Sequence, residues 1–199
     1  MKAGALLGFL VLMPTLRSEA RRHVYPRARY PARITEKDIP NFHRVDAYLF
    51  RGGHPDCTGY ARLAALGIRT IVDLQGGAAR TVRGCQRRLG RTKLNFRIIR
   101  FQIMFPQTAL TGVSDESLRR LFAMMRRAPK PMFVTCKLGD DRTGMIVALY
   151  RMRRGEMSFR NAEREARHYH FHADVLVGLR LTLDRYRDRR KVRALPDPA

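Results

Sequence analysis

The residues that decide the fold are Met132-Phe133-Val134-Thr135-Cys136-Lys137-Leu138-Gly139-Asp140-Asp141-Arg142-Thr143-Gly144. The first four are apolar or β-branched and follow a proline, which predicts a short, fully buried strand. A helix is predicted from Thr143 to Arg154, where Gly155 ends it. The residues between them therefore form a loop at the carboxyl end of a buried strand, where open α/β sheets bind ligands.

The rest of the chain alternates strand and helix patterns. Strands are predicted near 45–49, at 68–74 and at 96–103, and helices at 58–66, 79–89, 114–127 (Ser114 as N-cap), 158–168 and 174–190. This alternation indicates an α/β fold, a central and mostly parallel sheet flanked by helices. The last helix has one apolar face, which is predicted to pack in the core. It is formed by Val175, Leu176, Leu179, Leu183 and Tyr186.

The loop suits a tetrahedral anion. Five residues separate Cys136 from Arg142, enough for successive N–H groups to surround one phosphate while the next helix points its positive end there. These groups favour the thiolate of Cys136, a nucleophile towards phosphorus. Arg142 can hold two phosphate oxygens, and Thr143 can donate its hydroxyl to the departing sulfur. The predicted phosphate-binding residues are Lys137, Leu138, Gly139, Asp140, Asp141 and Arg142.

The Cys-x5-Arg-Thr spacing alone is not specific, because it occurs twice. Cys85 stands at the same distance before Arg91-Thr92, but Arg83-Gly84 precede it in place of a strand. It also lies inside a predicted basic helix. We therefore expect Cys85 to be a half-buried structural cysteine.

A purely structural interpretation of the first loop stays open. Cys136 would then be a small buried side chain at the end of a strand, and Arg142 an ordinary surface cation. Asp140 and Asp141 would be turn residues. The order strand, cysteine, glycine, arginine, hydroxyl, glycine favours the anion site instead.

At these residues the chain resembles the cysteine-dependent protein-tyrosine and dual-specificity phosphatases, whose signature is a His-Cys-x5-Arg-Ser/Thr loop. The match Cys-Lys-x-Gly-x-Asp-Arg-Thr-Gly is most similar to atypical dual-specificity phosphatases of bacteria, plants and fungi. It extends to Asn41-Phe42, to 49–55 (similar to that group's Tyr-Arg-Gly-Gly-Gln-Pro) and to 66–74, and covers about 41–190. The resemblance implies a phosphotyrosine protein phosphatase-like fold, a phosphocysteine intermediate, and neither metal nor cofactor.

Two positions depart from this family. Thr135 stands where the family has His, so one contribution to thiolate stability and loop rigidity is missing or replaced. The family's general acid, an Asp on a mobile loop, has no counterpart between residues 101 and 113. The candidates are Asp141 first, Asp140 second and Asp115 third, the last with an alternative role at its helix dipole.

A weak general acid has two consequences for function. Substrates whose leaving groups have a low pKa, such as aryl phosphates or phosphoanhydrides, would be favoured over alkyl phosphates. The expected partner is a phosphorylated protein or a small phosphorylated molecule such as an inositol phosphate. The alternative is a catalytically weak pseudophosphatase that binds phosphorylated ligands.

The N-terminus predicts export. Lys2, an apolar run from 3 to about 13 and Ser18-Glu19-Ala20 are typical of a signal peptide, 1–20, followed by a basic linker (21–40), the domain (41–192) and a tail (193–199). An uncleaved membrane anchor or a mistaken start codon are the alternatives. In a periplasmic or secreted protein, the three cysteines Cys57, Cys85 and Cys136 leave at least one free or paired outside the chain. The sequence leaves open whether Cys57 and Cys85 form a disulfide.

The net charge of +23 indicates an anionic partner or simply a solvated basic surface. Nucleic acid ranks last, because no reading motif is present. Arg51 and Arg69, near strand ends, could extend the anion pocket or form surface ion pairs. The sequence does not indicate an oligomeric state.

Overall fold

A five-stranded sheet forms the middle of the protein in the computed structural model, which describes residues 34–90, 93–104 and 110–199. The strands are β1 (His43–Arg44), β2 (Leu49–Gly52), β3 (Thr70–Asp73), β4 (Arg97–Arg100) and β5 (Met132–Thr135). Their order is β1-β2-β5-β3-β4, and all neighbours except β1 and β2 pair in parallel. The predicted mostly parallel α/β sheet is confirmed.

Seven helices fall entirely within the described residues and cover both faces of this sheet. They are α1 (Cys57–Ala65), α2 (Ala78–Leu89), α3 (Asp115–Arg126), α4 (Asp141–Arg153), α5 (Phe159–His168), α6 (Val177–Arg185) and α7 (Arg189–Ala194). Successive side chains of a strand point to opposite faces. Phe133 therefore packs in the core with α1 and α2, whereas Met132 and Val134 pack in the core with α3 to α7.

The strand register places the loop at one edge of the sheet. Thr135 at the end of β5 lies opposite Gly52 of β2 on one side and Asp73 of β3 on the other. Because these strands are parallel, their carboxyl ends meet at the ligand-binding edge of an open α/β sheet. Arg69 precedes β3 at the opposite edge and is exposed. The hypothesis that Arg69 extends the anion pocket is therefore wrong.

Cys57 and Cys85 form a disulfide between α1 and α2. The predicted structural role of Cys85 agrees with this bond, but the prediction of a half-buried side chain is wrong, because Cys85 is only 1% exposed. The two cysteines are 28 residues apart in sequence. In the loop-entropy model the bond lowers the entropy of the unfolded chain and so stabilises the fold by about 3.5 kcal/mol. Cys136 is left as the free thiol.

The helix predicted over 174–190 is two helices in the structure. It breaks after α6 because Asp188 accepts a hydrogen bond from the backbone N of Arg190 (2.8 Å) and caps α7. Most of the predicted apolar stripe is buried, but Val175 precedes α6 and is 77% exposed. The predicted core contact of Val175 is therefore wrong.

Packing extends beyond the predicted domain limits, 41 and 192. Ile39 is fully buried, and Leu195 is 1% exposed.

The strand expected near 45–49 begins only at Leu49, because Asp46 Oδ1 accepts hydrogen bonds from the backbone N of Tyr48 (2.7 Å) and Leu49 (2.8 Å) and turns the chain.

The predicted signal peptide, 1–20, lies outside the described residues, as does most of the predicted linker. Within the described ranges, the helices lack the combination of length and apolar character that spanning a bilayer requires. Arg91-Thr92, the second half of the repeated cysteine motif, also lie outside them.

Candidate active site

Cys136 directly follows β5 at the carboxyl edge of the sheet, and it is 4% exposed. Residues 137–140 lead from it to α4, which begins at Asp141. Within this loop Lys137 and Leu138 are exposed and Gly139 is buried. The structure thus brings the predicted nucleophile, phosphate loop and Arg142 together in one strand–loop–helix unit.

The loop's carbonyl groups are bound from the side of β2. Lys137 O accepts a hydrogen bond from the backbone N of His54 (3.1 Å), and Gly139 O accepts one from Arg51 Nη2 (2.6 Å). In a planar trans peptide the C=O and the following N–H point in opposite directions. The amides of Leu138 and Asp140 therefore face away from β2, and amides oriented in this way bind anions.

Two glycines allow this close contact between the loop and the end of β2. Gly139 has a φ of +86°, and a Cβ there would lie 2.5 Å from backbone atoms of Gly52 and Gly53. A Cβ on Gly53 would lie 2.9 Å from the carbonyl group of Leu138. Both contacts are backbone against backbone, so neither position accommodates a side chain without moving the loop.

Arg51 lies beneath the loop and is 1% exposed. Besides donating to Gly139 O, its guanidinium carbon lies 4.5 Å from the ring centre of Tyr169. Its Nε and Nη1 are buried and have no hydrogen-bond partner among the described residues. Burial lowers the pKa of Arg51 to about 10, so the side chain is still charged at neutral pH. A buried cation thus lies directly behind the proposed phosphate site.

Thr135, in place of the family's His, holds the backbone of Cys136 but carries no charge. It is fully buried and donates its hydroxyl to Cys136 O (3.2 Å). Arg51 supplies a positive charge on this side of the loop. Burial lowers the pKa of Arg51, and the anionic form of Cys136 is among the nearby charges that oppose this.

Asn41 ties the loop to two other segments. Its Nδ2 donates to Asp140 Oδ1 (2.9 Å), to Tyr169 O (3.1 Å) and to Gly139 O (3.4 Å). Asp140, the second candidate for the general acid, thus has a structural partner. Sequence reasoning assigned no role to Asn41 and left the role of Arg51 open; their signal was that both lie in segments resembling the phosphatase family.

Asp141, the first candidate for the general acid, joins α4 to the segment after α5. Its Oδ1 accepts a hydrogen bond from the backbone N of His172 (2.7 Å) and lies 3.0 Å from His172 Nδ1. The side chain of Asp141 is 24% exposed. Both contacts use one oxygen, so a proton on Oδ2 is compatible with this geometry.

Asp115, the third candidate, is committed to ion pairs. Its carboxylate lies 3.2 Å from Arg185 Nε and 3.2 Å from Lys191 Nζ. Partial burial raises the pKa of Asp115, but hydrogen bonds and charge from Lys191 and Arg185 more than reverse this, and the pKa lies below its ordinary value. Asp115 is thus ionised at neutral pH and unsuited to protonate a leaving group.

Two predicted catalytic side chains follow Asp141 on α4. Thr143 is fully buried, and its hydroxyl has no hydrogen-bond partner among the described residues, so it is available to a developing sulfur anion. Arg142 is half-buried, and its Nη1 donates to Ile103 O (3.3 Å). This contact holds its guanidinium beside the segment that follows β4.

A thiol at the start of a loop of oriented amides, with an arginine at the next helix, is how cysteine-dependent phosphatases hold and attack a phosphoryl group. The fold and site thus define this class. A family model described as a DSP-PTPase phosphatase fused to NAD+ kinase matches residues 30–175, and the chain belongs to this family.

Individual relatives agree with this assignment. OCA1 of Mycosarcoma maydis is 24% identical over 115 residues, which are 56% of this chain and 69% of that protein. The crystal structure of TpbA from P. aeruginosa is 23% identical, covers 84% of this chain and 96% of its own, and has a TM-score of 0.57. SIW14 from S. cerevisiae is 16% identical over 79% and 96% of the two chains, with a TM-score of 0.54. The two structures establish the fold.

Replacing Arg51 by Lys is expected to lower kcat for an aryl phosphate by about a hundredfold with little change in KM, because lysine cannot reproduce the contact with Gly139 and the loop shifts. Steady-state kinetics measure this. Arg69→Lys makes the same chemical change at the opposite edge of the sheet and should leave kcat unchanged. Equal activity of Arg51→Lys and the parent would show that Arg51 does not position the loop.

Proposed function

We propose that this phosphatase hydrolyses phosphomonoesters, with phosphotyrosine in proteins as the first substrate class and small polyphosphorylated molecules, such as inositol phosphates, as the second. One observation carries the proposal. The carbonyls of Lys137 and Gly139 are held on the β2 side of the loop, so the amides that follow them are presented to an anion beside Cys136.

The reaction proceeds in two displacements. The thiolate of Cys136 attacks phosphorus, a P–S bond forms, and the bond to the leaving oxygen breaks. Arg142 and the loop amides neutralise the charge that develops on the phosphoryl oxygens. Water then attacks the phosphocysteine, the P–S bond breaks, and inorganic phosphate leaves. The hydroxyl of Thr143 donates to the sulfur as it departs.

The substrate classes draw support from the relatives and from the composition of the site. TpbA has been crystallised in complex with phosphotyrosine, and SIW14 is described as a PP-IP phosphatase. Residues 102–112 contain no Asp or Glu that could act as a general acid from that segment. Aryl phosphates and phosphoanhydrides need the least protonation because their leaving groups have low pKa values.

Replacing Cys136 by Ser is expected to lower the turnover of p-nitrophenyl phosphate by about 10⁴-fold or more, because a serine hydroxyl is not ionised at neutral pH. The control variant, Cys57→Ser with Cys85→Ser, keeps the nucleophile and should retain turnover. Activity that survives in Cys136→Ser would refute the mechanism. Vanadate binding without turnover in the parent protein would favour a pseudophosphatase. The hydrogen bond between Asp140 and Asn41 and the loss of the family's His would then explain the low activity.

Asp141→Asn tests the general acid. Asn can still accept the hydrogen bond from His172 N, so the fold should persist while the proton is lost. We expect kcat to stay the same for aryl phosphates with good leaving groups and to fall by about a hundredfold for alkyl phosphates. Asp115→Asn should change neither rate. If Asp141→Asn affects both substrate types equally, Asp141 does not protonate the leaving group.

We infer further that residues 1–20 direct export. The apolar run from 3 to 13 supports this, as does the Cys57–Cys85 disulfide, because such bonds persist in oxidising compartments. Expression of the whole chain in a bacterium, fractionation and mass spectrometry test it. The expected product is periplasmic, begins at Arg21 and carries the disulfide. A cytoplasmic protein that retains residues 1–20 and reduced cysteines would contradict export.

A further inference from the structure

A second basic site lies at the far end of α4 from the phosphate loop. A cavity of about 690 Å³ opens where the end of α4, the start of α5 and the break between α6 and α7 meet. The 13 residues of α4 span about 20 Å, because an α-helix rises about 1.5 Å per residue. The cavity is therefore separate from the site around Cys136.

Arginine dominates the lining of this cavity. Six of its fourteen lining residues are arginines: Arg153, Arg154, Arg160, Arg187, Arg189 and Arg193. Lys and Arg together make up only 40 of the 199 residues of the chain, so the cavity is enriched about twofold in basic residues. This enrichment is more than the basic composition alone predicts.

Three of these arginines are not neutralised by the fold. Arg160, Arg189 and Arg193 are exposed and have no acidic partner among the described residues. The one carboxylate in the lining, Glu156, already pairs with Arg151 (2.7 Å) and lies 3.7 Å from Arg154. The lining of the cavity therefore carries net positive charge and suits a multiply charged anion.

The lining also includes apolar side chains, which we call the floor of the cavity. Met152, Tyr186 and Val192 are buried there, and Phe159 lies with the guanidinium carbon of Arg187 4.3 Å from its ring centre. Small-molecule sites commonly have volumes of about 300–1,000 Å³ and combine apolar walls with a few charged groups. One phosphate ion would fill only part of this space and leave the floor uncovered.

We propose that this cavity binds a nucleoside polyphosphate. The phosphates lie against Arg160, Arg189 and Arg193, where guanidinium groups can hold phosphate oxygens in pairs. The base and sugar cover the apolar floor. An inositol phosphate satisfies the arginines but offers no apolar body to the floor. The proposal does not depend on the phosphatase reaction at Cys136.

Calorimetric titration of the full chain with ATP tests this proposal, with vanadate present to occupy the loop at Cys136. Joint replacement of Arg160, Arg189 and Arg193 by Gln is expected to weaken ATP binding by about a hundredfold, because charge-assisted contacts are lost. The matched control replaces Arg83, Arg87 and Arg88, exposed on α2, by Gln and removes the same charge. It should change the affinity by less than about threefold.

Four outcomes would overturn the proposal. ATP does not bind at millimolar concentration, or both triple variants lose affinity equally, which would indicate attraction by the net charge alone. Inositol hexakisphosphate binds as tightly as ATP, which would exclude a role for the apolar floor. Vesicles containing phosphatidylserine bind through the three arginines while ATP does not, which would assign the site to a lipid headgroup. Thermal melting and aryl phosphate turnover check that each variant is folded.

Discussion

The hydrogen bond from Arg51 to the carbonyl of Gly139 is the contact on which the phosphate loop depends. Burying a guanidinium without a bonded carboxylate costs several kcal/mol, and the described residues offer Nε and Nη1 of Arg51 no acceptor. That cost is tolerable where an anion completes the site. A phosphoryl group bound beside Cys136, as proposed above, would place negative charge on the other side of the same loop. The free energy that burial of Arg51 costs is therefore offset when an anion binds, and this favours anion binding.

The sheet explains why positive charge prevails at this edge. Three parallel strands end side by side at Gly52, Thr135 and Asp73. Asp73 could have opposed an anion, but it is fully buried and its carboxylate accepts hydrogen bonds from the backbone N of Gln75, Gly76 and Ala78. It is used in turning the chain into α2. The carboxylate is therefore partnered inside the protein, while Arg51 keeps unpartnered donors.

Local patterns predicted the fold because each depends on neighbours in sequence. The strand 132–135, the cap at Ser114 and the helix starting at 158–159 all follow from such patterns. The break at Asp188 was not predicted. The sequence pattern does not distinguish an aspartate that caps a new helix from one inside a continuous helix when apolar residues recur at helical spacing. The support of the loop was not predictable from periodicity, since Arg51 and Asn41 meet Gly139 and Asp140 across 88 and 99 residues.

Basic residues far outnumber acidic ones, 40 to 17, and several of the acidic residues have structural roles. Asp46 accepts a hydrogen bond from the hydroxyl of Tyr150 (2.6 Å), and Asp115 joins α3 to α6 and α7 through its two ion pairs. Carboxylates committed in this way stabilise the fold, and the 17 acidic residues together leave the chain with a net charge of +23. The remaining field concentrates anions of every kind near the protein and weakens as salt screens it. Selection among those anions must therefore come from short-range contacts. The oriented amides provide these contacts at the loop, and the apolar floor provides them at the second cavity.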